Sequence, residues 1–416
     1  WAAPARQEGV VAAGSAPGGI FAGECEERAE ESATSPRRAD ECGLGAEGCA
    51  VRLFDGFASS GTLAIRVALE ACAPAALADA SRRFVIVGSD VDPRCAALAL
   101  SNARALNGLD AAPLSCLEAE LRRDAPSSAE IAREIPAGCA AGVPVEGRAS
   151  VHMSVGAVDA RALCYTHPPC EWAHLDPFGS CVPHLDAFVA RAPHGALISL
   201  VATDTAALYA LYPDVARRAY AAALDRADPN WREAGVRALV GAVAHAAARH
   251  GRGARPLHTT SAAHFVKLLV RVEKGAAAAD RAVSSVRALT TPDGRTLGPL
   301  WSGALNDGPF LDRCAAAAAD ALGTPGLAPA ERSALRSAAA VFARSRADSP
   351  ALPPFGRLAP AGLSPGRLVD ALRDAGFSAS RSAYGADAGR PGAGSHVRTD
   401  APPDVWDAVT SGMRGR

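Results

Sequence analysis

The residues of this 416-residue chain best suited to chemistry stand in direct succession, Asp176-Pro177-Phe178-Gly179-Ser180, after the apolar approach Trp172-Ala173-His174-Leu175. A carboxylate, a residue of fixed φ, an aromatic face and a glycine free of the Cβ restriction suit a strand that ends by turning sharply into a pocket. There the acid can accept an N–H while the ring stacks on a planar amine donor. The same residues also fit a tight turn in which Phe178 is core and Asp176 caps the next helix.

The elements that would position such a turn are legible on both sides of it. Val51 to Gly56 is a short apolar run ending in acid and glycine; Ala58-Ser59-Ser60-Gly61 and a helical pattern through Ile65, Leu69 and Cys72 follow. A strand, a glycine-bearing loop and a helix in this order bring backbone N–H groups to the carboxyl edge of a parallel sheet. The next strand, Phe84 to Gly88, ends in Ser89-Asp90, where an acid can accept both hydroxyls of a ribose or cap the following helix, Ala96 to Leu106. A third strand, Val151 to Val155, leads to Asp159-Ala160, placed to meet an adenine amino group. The fourth closes on Asp176 and the fifth, Gly195 to Val201, on Ala202-Thr203-Asp204. This sustained alternation predicts an α/β, Rossmann-like doubly wound domain.

Helices are expected at 185–192, 214–224 and 231–249, the last running into a basic stretch through Arg252 and Arg255. His264 to Val272 alternates basic and apolar residues and reads as a late strand with one charged face, or as a solvated edge strand protected by its cations. Beyond Glu273, Ala-rich helices at 312–322 and 330–344 and a helical period at 364–377 predict a smaller C-terminal α+β domain. The expected division is therefore a disordered segment at 1–50, a catalytic domain at 51–272 and a docking domain at 273–416, with residues 118–149 as a flexible excursion.

Composition sets outer limits. With 49% hydrophobic and 21% charged residues the chain is globular, and a formal net charge of -1 argues neither for nor against nucleic acid. Lys267 and Lys274 are the only lysines, so arginine dominates the cations and favours bidentate phosphate or carboxylate contacts. The 11 cysteines include no Cys-x-x-Cys, which fits a reducing, intracellular compartment, with nucleus, cytoplasm and organelle unresolved. Cys164, His167, Cys170 and His174 have ligand-like spacing, but Pro168 and Pro169 interrupt them, and the reading is buried thiols and a core histidine with no metal. Asp204 breaks the longest apolar run, so no membrane span is expected. The chain begins at Trp1, and a natural start with any targeting segment would precede it.

Taken in order, Asp176 to Ser180, Ala202-Thr203-Asp204-Thr205, Gly298-Pro299-Leu300-Trp301-Ser302-Gly303 and Arg398-Thr399-Asp400-Ala401-Pro402 resemble the motifs of the tRNA (guanine(26)-N2)-dimethyltransferases. Asn102 and Asn107 after Asp90, and the pair Asp159-Ala160, extend the resemblance from about 51 to 410. It implies a class I methyltransferase fold, S-adenosylmethionine as donor and a guanine exocyclic amine in tRNA as acceptor, mono- or dimethylated. By position it implies Asp55, Gly61, Arg66, Asp90, Asp159 and Ala160 as cofactor contacts, and Asp176, Pro177, Phe178 and Gly179 around the target base. Arg249, Arg252, Arg255, Lys267, Arg271 and Arg398 are then the expected tRNA contacts.

The chain departs from that family in lacking an N-terminal Asn-Arg-Asp-Leu-Ser-like run, and in Leu63, His174 and Cys181, where the relatives carry an arginine, an acid and a proline. Alternatives of other kinds are a catalytically impaired tRNA-binding homologue and a class I enzyme acting on another amine or amide. A nicotinamide-dependent dehydrogenase is disfavoured, because the first loop lacks Gly-x-Gly-x-x-Gly.

Overall fold

Leu53 and Phe54 are neighbours on one strand, yet they enter separate hydrophobic cores, because successive side chains on a strand face opposite sides of a sheet. Leu53 joins Ile65, Ile86, Leu100 and Met153; Phe54 joins Leu163, Leu175, Phe188 and Ile198. Each fully buried side chain of this size contributes about 1.5–3 kcal/mol. A sheet covered on both faces follows.

The structure, a computed structural model, describes residues 50–68, 83–105, 110–113, 151–323, 329–348, 352–384 and 396–414. Apart from Ala50, the segment expected to be disordered lies outside these residues, as do the whole excursion at 118–149, Cys72 and Asn107. Ala50–Arg416 form one compact unit.

In chain order the first elements are β1 (Ala50–Asp55), α1 (Thr62–Val67), β2 (Arg83–Ser89), α2 (Pro93–Ala105), β3 (Asp110–Pro113) and β4 (Val151–Gly156). Next come α3 (Ala160–Thr166), β5 (Trp172–Leu175), α4 (Leu185–Ala190), β6 (Leu197–Ala202), α5 (Thr205–Leu208), α6 (Pro213–Tyr220) and α7 (Trp231–Arg249). β7 (Arg252–Ser261) and β8 (Val266–Lys274) complete an eight-stranded sheet of order β3-β4-β2-β1-β5-β6-β8-β7. All neighbouring pairs from β3 to β6 are parallel, and β8 runs antiparallel to both β6 and β7.

Two expectations change here. The basic stretch after α7 is strand β7, and the alternating strand β8 is interior, flanked by β6 and β7. Its Val266, Leu268, Val270 and Val272 are fully buried while Lys267 is exposed, so the alternation marks two faces of an inner strand. The edge strand β3 was not anticipated, since Asp110-Ala111-Ala112-Pro113 lacks the β-branched residues that signal a strand.

Beyond β8 lie α8 (Ala276–Ser284), the antiparallel pair β9 (Val286–Thr290) and β10 (Thr296–Trp301), α9 (Gly308–Leu322) and α10 (Pro329–Ala347). A three-stranded antiparallel sheet of β11 (Arg357–Leu358), β12 (Ala379–Arg381) and β13 (His396–Thr399) packs with α11 (Pro365–Asp374) and α12 (Pro403–Arg414). Its own core is Leu368, Val369, Leu372, Val397 and Trp406.

α7 is buried on nearly every side, which its alanines and glycines permit. Gly235 is required there, because a Cβ would lie 2.2 Å from the Leu208 carbonyl oxygen where α7 passes α5. The charges on α7 are resolved internally. Glu233 Oε1 accepts from Arg237 Nε at 2.8 Å and from Arg398 Nη2 at 2.8 Å. Arg398 Nε lies 2.6 Å from Asp348 Oδ1, and Arg237 Nη1 donates to the carbonyls of Trp301 and Gly303.

Burial pushes the Asp348 carboxyl up to about 6 despite the opposing charge of Arg398. The folded state thus holds this proton more tightly than the unfolded chain. Its stabilisation is fully present below the ordinary value of 3.8 and is lost as pH rises through about 6. In urea unfolding, the parent should lose about 2 kcal/mol relative to Asp348→Asn between pH 4 and 7. Parallel pH profiles for the two proteins would refute this assignment.

Candidate active site

Because β4, β2, β1, β5 and β6 run parallel, their carboxyl ends form one edge, and the acids that follow each strand gather there. The register sets Asp55 beside Gly88 of β2 and beside His174 of β5. Asp55 is 1% exposed, and its Oδ1 accepts from Phe57 N. Burial raises its carboxyl above the ordinary range; His174 opposes the rise, while Asp176 and Asp90 add to it.

The first loop is folded from a distance. Asp90 Oδ2 accepts from Ser59 N at 3.0 Å, its Oδ1 from Asp92 N at 3.0 Å, and Asn102 Nδ2 donates to Ser60 O at 2.9 Å. Asp90 is therefore a brace for the loop, and the capping contact at the start of α2 comes from Asp92, whose Oδ1 accepts from Arg94 N. Gly61 takes φ 76° where a Cβ would meet Ala99 at 2.9 Å, so both its conformation and its packing call for glycine. Arg66 is exposed in the last turn of α1. Asp159 caps α3 by accepting from Arg161 N at 2.8 Å and pairs with the Arg161 guanidinium, which holds its carboxyl below the usual range. Ala160 is buried against the space left by Gly56.

The turn after β5 is fixed in backbone and open in side chain. Gly179, at φ 83°, donates its N–H to Thr203 Oγ1 at 2.7 Å, and Thr203 N donates back to Gly179 O at 2.9 Å. Ser180 Oγ lies 3.0 Å from Tyr220 Oη, which donates to Asp204 at 2.7 Å. The Phe178 ring, in contrast, is fully exposed at 106%, which removes the reading of it as core. The Asp176 side chain is 46% exposed, with His174 Nε2 3.8 Å away; the other ring nitrogen of His174 meets Ser199 Oγ at 3.0 Å. An acid and a solvent-facing ring on a pinned turn can present a hydrogen-bond acceptor and a stacking face to a planar base.

The sequence profile described as "N2,N2-dimethylguanosine tRNA methyltransferase" matches residues 149–292, which contain this turn and the Thr203, Asp204 and Tyr220 that hold it. The tRNA (guanine(26)-N(2))-dimethyltransferase of Pyrobaculum arsenaticum is 33% identical over 168 residues, 38% of this chain and 47% of the relative. Over this stretch the chain is similar to this family.

Among other relatives, the Thermoplasma acidophilum guanine-26 enzyme is 28% identical over 250 residues, 58% of this chain and 65% of that one. A Homo sapiens tRNA (guanine(27)-N(2))-dimethyltransferase is 34% identical over 138 residues, 33% of this chain and 19% of that one. The chain thus aligns with about half the length of the first of these and about a fifth of the human one. The structure of Trm1 from Pyrococcus horikoshii with S-adenosyl-L-methionine superposes with a TM-score of 0.62 at 19% identity, covering 86% of this chain and 88% of that one. That likeness shows the Rossmann-like methyltransferase fold.

The cationic residues expected to contact RNA fall into different places. Arg398 is 4% exposed inside the ion network of α7, so its expected role as an RNA contact is corrected to a structural one. The pairing of β8 with β6 sets Arg271 against Leu197, five residues and about 16 Å along β6 from its carboxyl end. Arg255 is paired with Arg271 on β7 and held by Asp307 and Glu273. Arg249 pairs with Asp186, and Arg252 donates to the carbonyls of Ala192 and His250. Arg271 and Arg255 therefore lie away from the turn, and Arg249, Arg252 and Arg255 already have partners. Lys267 differs: it is exposed, lies opposite Val201 at the carboxyl end of β6, and has no hydrogen bond or ion pair among the described residues.

The thiol and imidazole cluster is also resolved. Burial pushes the Cys170 thiol up to about 12 and the His167 imidazole down to about 4. His167 Nδ1 is 2.8 Å from Pro168 O, and among the described residues no three such side chains form a metal-binding group. No described helix is long and apolar enough to cross a membrane.

Proposed function

We propose that this chain methylates the exocyclic N2 of a guanine in tRNA, with S-adenosylmethionine as donor. The observation that carries this reading is the turn Asp176 to Gly179, pinned through Thr203 while its acid and ring face solvent at the sheet edge that also bears Asp90. The donor supplies a sulfonium-bound methyl group. The residues present fit it: Asp90 keeps lone pairs for ribose hydroxyls beyond those committed to Ser59 and Asp92, and the braced loop offers backbone N–H groups. Asp159 and Ala160 lie at the end of β4 for the adenine ring.

Guanine N2 is a weak nucleophile because its lone pair is delocalised into the ring. Asp176, aided by the Pro177 carbonyl, accepts the N–H and takes the proton that leaves as the N–C bond forms, while Phe178 stacks on the base. A base buried in folded tRNA must first leave its stack, which costs about a few kcal/mol.

The relatives named above are called guanine-26 enzymes in the archaea and a guanine-27 enzyme in human. We assign position 26, with one or two methyl groups added. Nucleoside mass spectrometry of tRNA treated with protein and donor, using transcripts with adenosine at position 26 or 27, tests this. Methylguanosine lost only in the position-26 variant agrees; loss only in the position-27 variant moves the target. No product, with donor and tRNA both bound, identifies a binding homologue.

Asp90→Ala should weaken donor binding by about 1–3 kcal/mol in isothermal titration, through loss of a charged acceptor and of the Ser59 brace. Unchanged affinity would leave Asp90 only its loop contact.

A further inference from the structure

The surface beside the pinned turn carries exposed apolar and cationic side chains that the chemistry above does not use. α6 begins where Leu211 N and Tyr212 N both donate to Ala206 O, at 2.9 and 3.1 Å, three residues beyond Thr203. It ends where Tyr220 meets Ser180 and Asp204. The helix therefore rests on α5 at its start and, through Tyr220, on the segment that carries Phe178 at its end. Ala210 at φ 57° and Ala221 at φ 52° bracket it, left-handed turns that fix how the chain enters and leaves the helix.

The inner face of α6 is Ala216 and Tyr220, both buried. The outer side leaves Leu211 58%, Tyr212 62% and Val215 38% exposed. Charges on this surface do not cancel. Asp214 pairs with Arg217 and Asp225 with Arg295, whereas the Arg226 guanidinium lies 3.6 Å over the Trp231 ring, and Arg218 has no hydrogen bond or ion pair among the described residues.

We propose that the exposed surface of α6, with Tyr212 at its start and Arg218 in its last turn, docks the tRNA nucleotides that flank the target guanine. Tyr212 stacks on an unpaired base, and Arg218 neutralises a phosphate. An exposed ring at the start of α6 and an exposed arginine in its last turn match a strand whose bases have left their stack, which offers π faces and anionic charge in alternation. An apolar protein partner would cover Leu211 and Val215 but would leave the surplus cations unanswered.

This proposal rests on the tRNA-methylation reading, and its test keeps the two apart. Parent, Tyr212→Ala, Tyr212→Phe and Arg218→Ala are compared for tRNA affinity, donor affinity, methyl transfer and sedimentation. Tyr212→Ala and Arg218→Ala should each weaken tRNA binding about tenfold, leaving donor affinity and melting temperature unchanged. Tyr212→Phe should retain affinity, and Arg218→Ala should flatten the slope of log affinity against log salt by about 1. If the parent binds and methylates tRNA and the variants match it, the α6 surface is not a docking site while the function stands. If the parent binds no tRNA, the function and this proposal both fall. A parent that self-associates through this face, with Tyr212→Ala monomeric and its tRNA affinity intact, assigns the patch to a second copy and overturns the proposal.

Discussion

Replacing Asp176 by Asn should lower single-turnover methyl transfer to tRNA by a factor on the order of 10² or more while leaving donor affinity nearly unchanged. Asparagine keeps the size of the side chain and one acceptor but cannot take a proton. The variant should also fold normally, because the carboxylate is 46% exposed and the turn is held by Gly179 and Thr203, not by Asp176 itself. The nearest titratable neighbour, His174, lies 3.8 Å away and is engaged with Ser199 on its other nitrogen, so it is poorly placed to substitute. A variant that turns over at the parent rate would make the carboxylate structural.

Arg398→Ala should cost about 3–5 kcal/mol in urea unfolding, since it leaves Glu233 and Asp348 buried without their shared cation. The same variant should leave the salt dependence of tRNA binding unchanged, because a guanidinium 4% exposed cannot reach a phosphate. A surface contact predicts the reverse: an unaltered midpoint and a flatter salt slope. Measuring both separates the two roles.

How far these roles could be read from sequence depends on the range of the interactions. β1, β2, β4, β5 and β6 are apolar runs ending in acids, a local signal, and the helix expected at 231–249 is found with those bounds. The turn at Asp176 was legible because its four residues carry their own conformational instructions. What pins it was not. Tyr220 is 40 residues from Ser180, and no periodicity marks a tyrosine whose hydroxyl will close that gap. The C-terminal sheet was missed in detail because its strands, two to four residues long, are too short to show alternation. Arg398 was misread for a physical reason: in sequence an arginine on a polar tail resembles a docking residue, and only the acids of α7 and of the chain after α10, brought together by folding, show that it is neutralised indoors. The carbonyls of Trp301 and Gly303, in a motif that looked like part of a site, serve the same network by accepting from Arg237.

That network also orders events in time. Glu233 and Arg398 are 165 residues apart, and at typical synthesis rates of about 5–20 residues per second the second follows the first from the ribosome by roughly ten to thirty seconds. During that interval the helix bearing Glu233 and Arg237 has no full set of counter-charges, and water must remain where Arg398 will later sit. The sheet carrying the Asp176 turn can therefore pair early, but α7 becomes dry only when β13 arrives. A nascent chain of this protein is thus expected to pass through a stage in which the large sheet is assembled but the charged seam of α7 is still wet, the stage most open to proteolysis and to capture by chaperones.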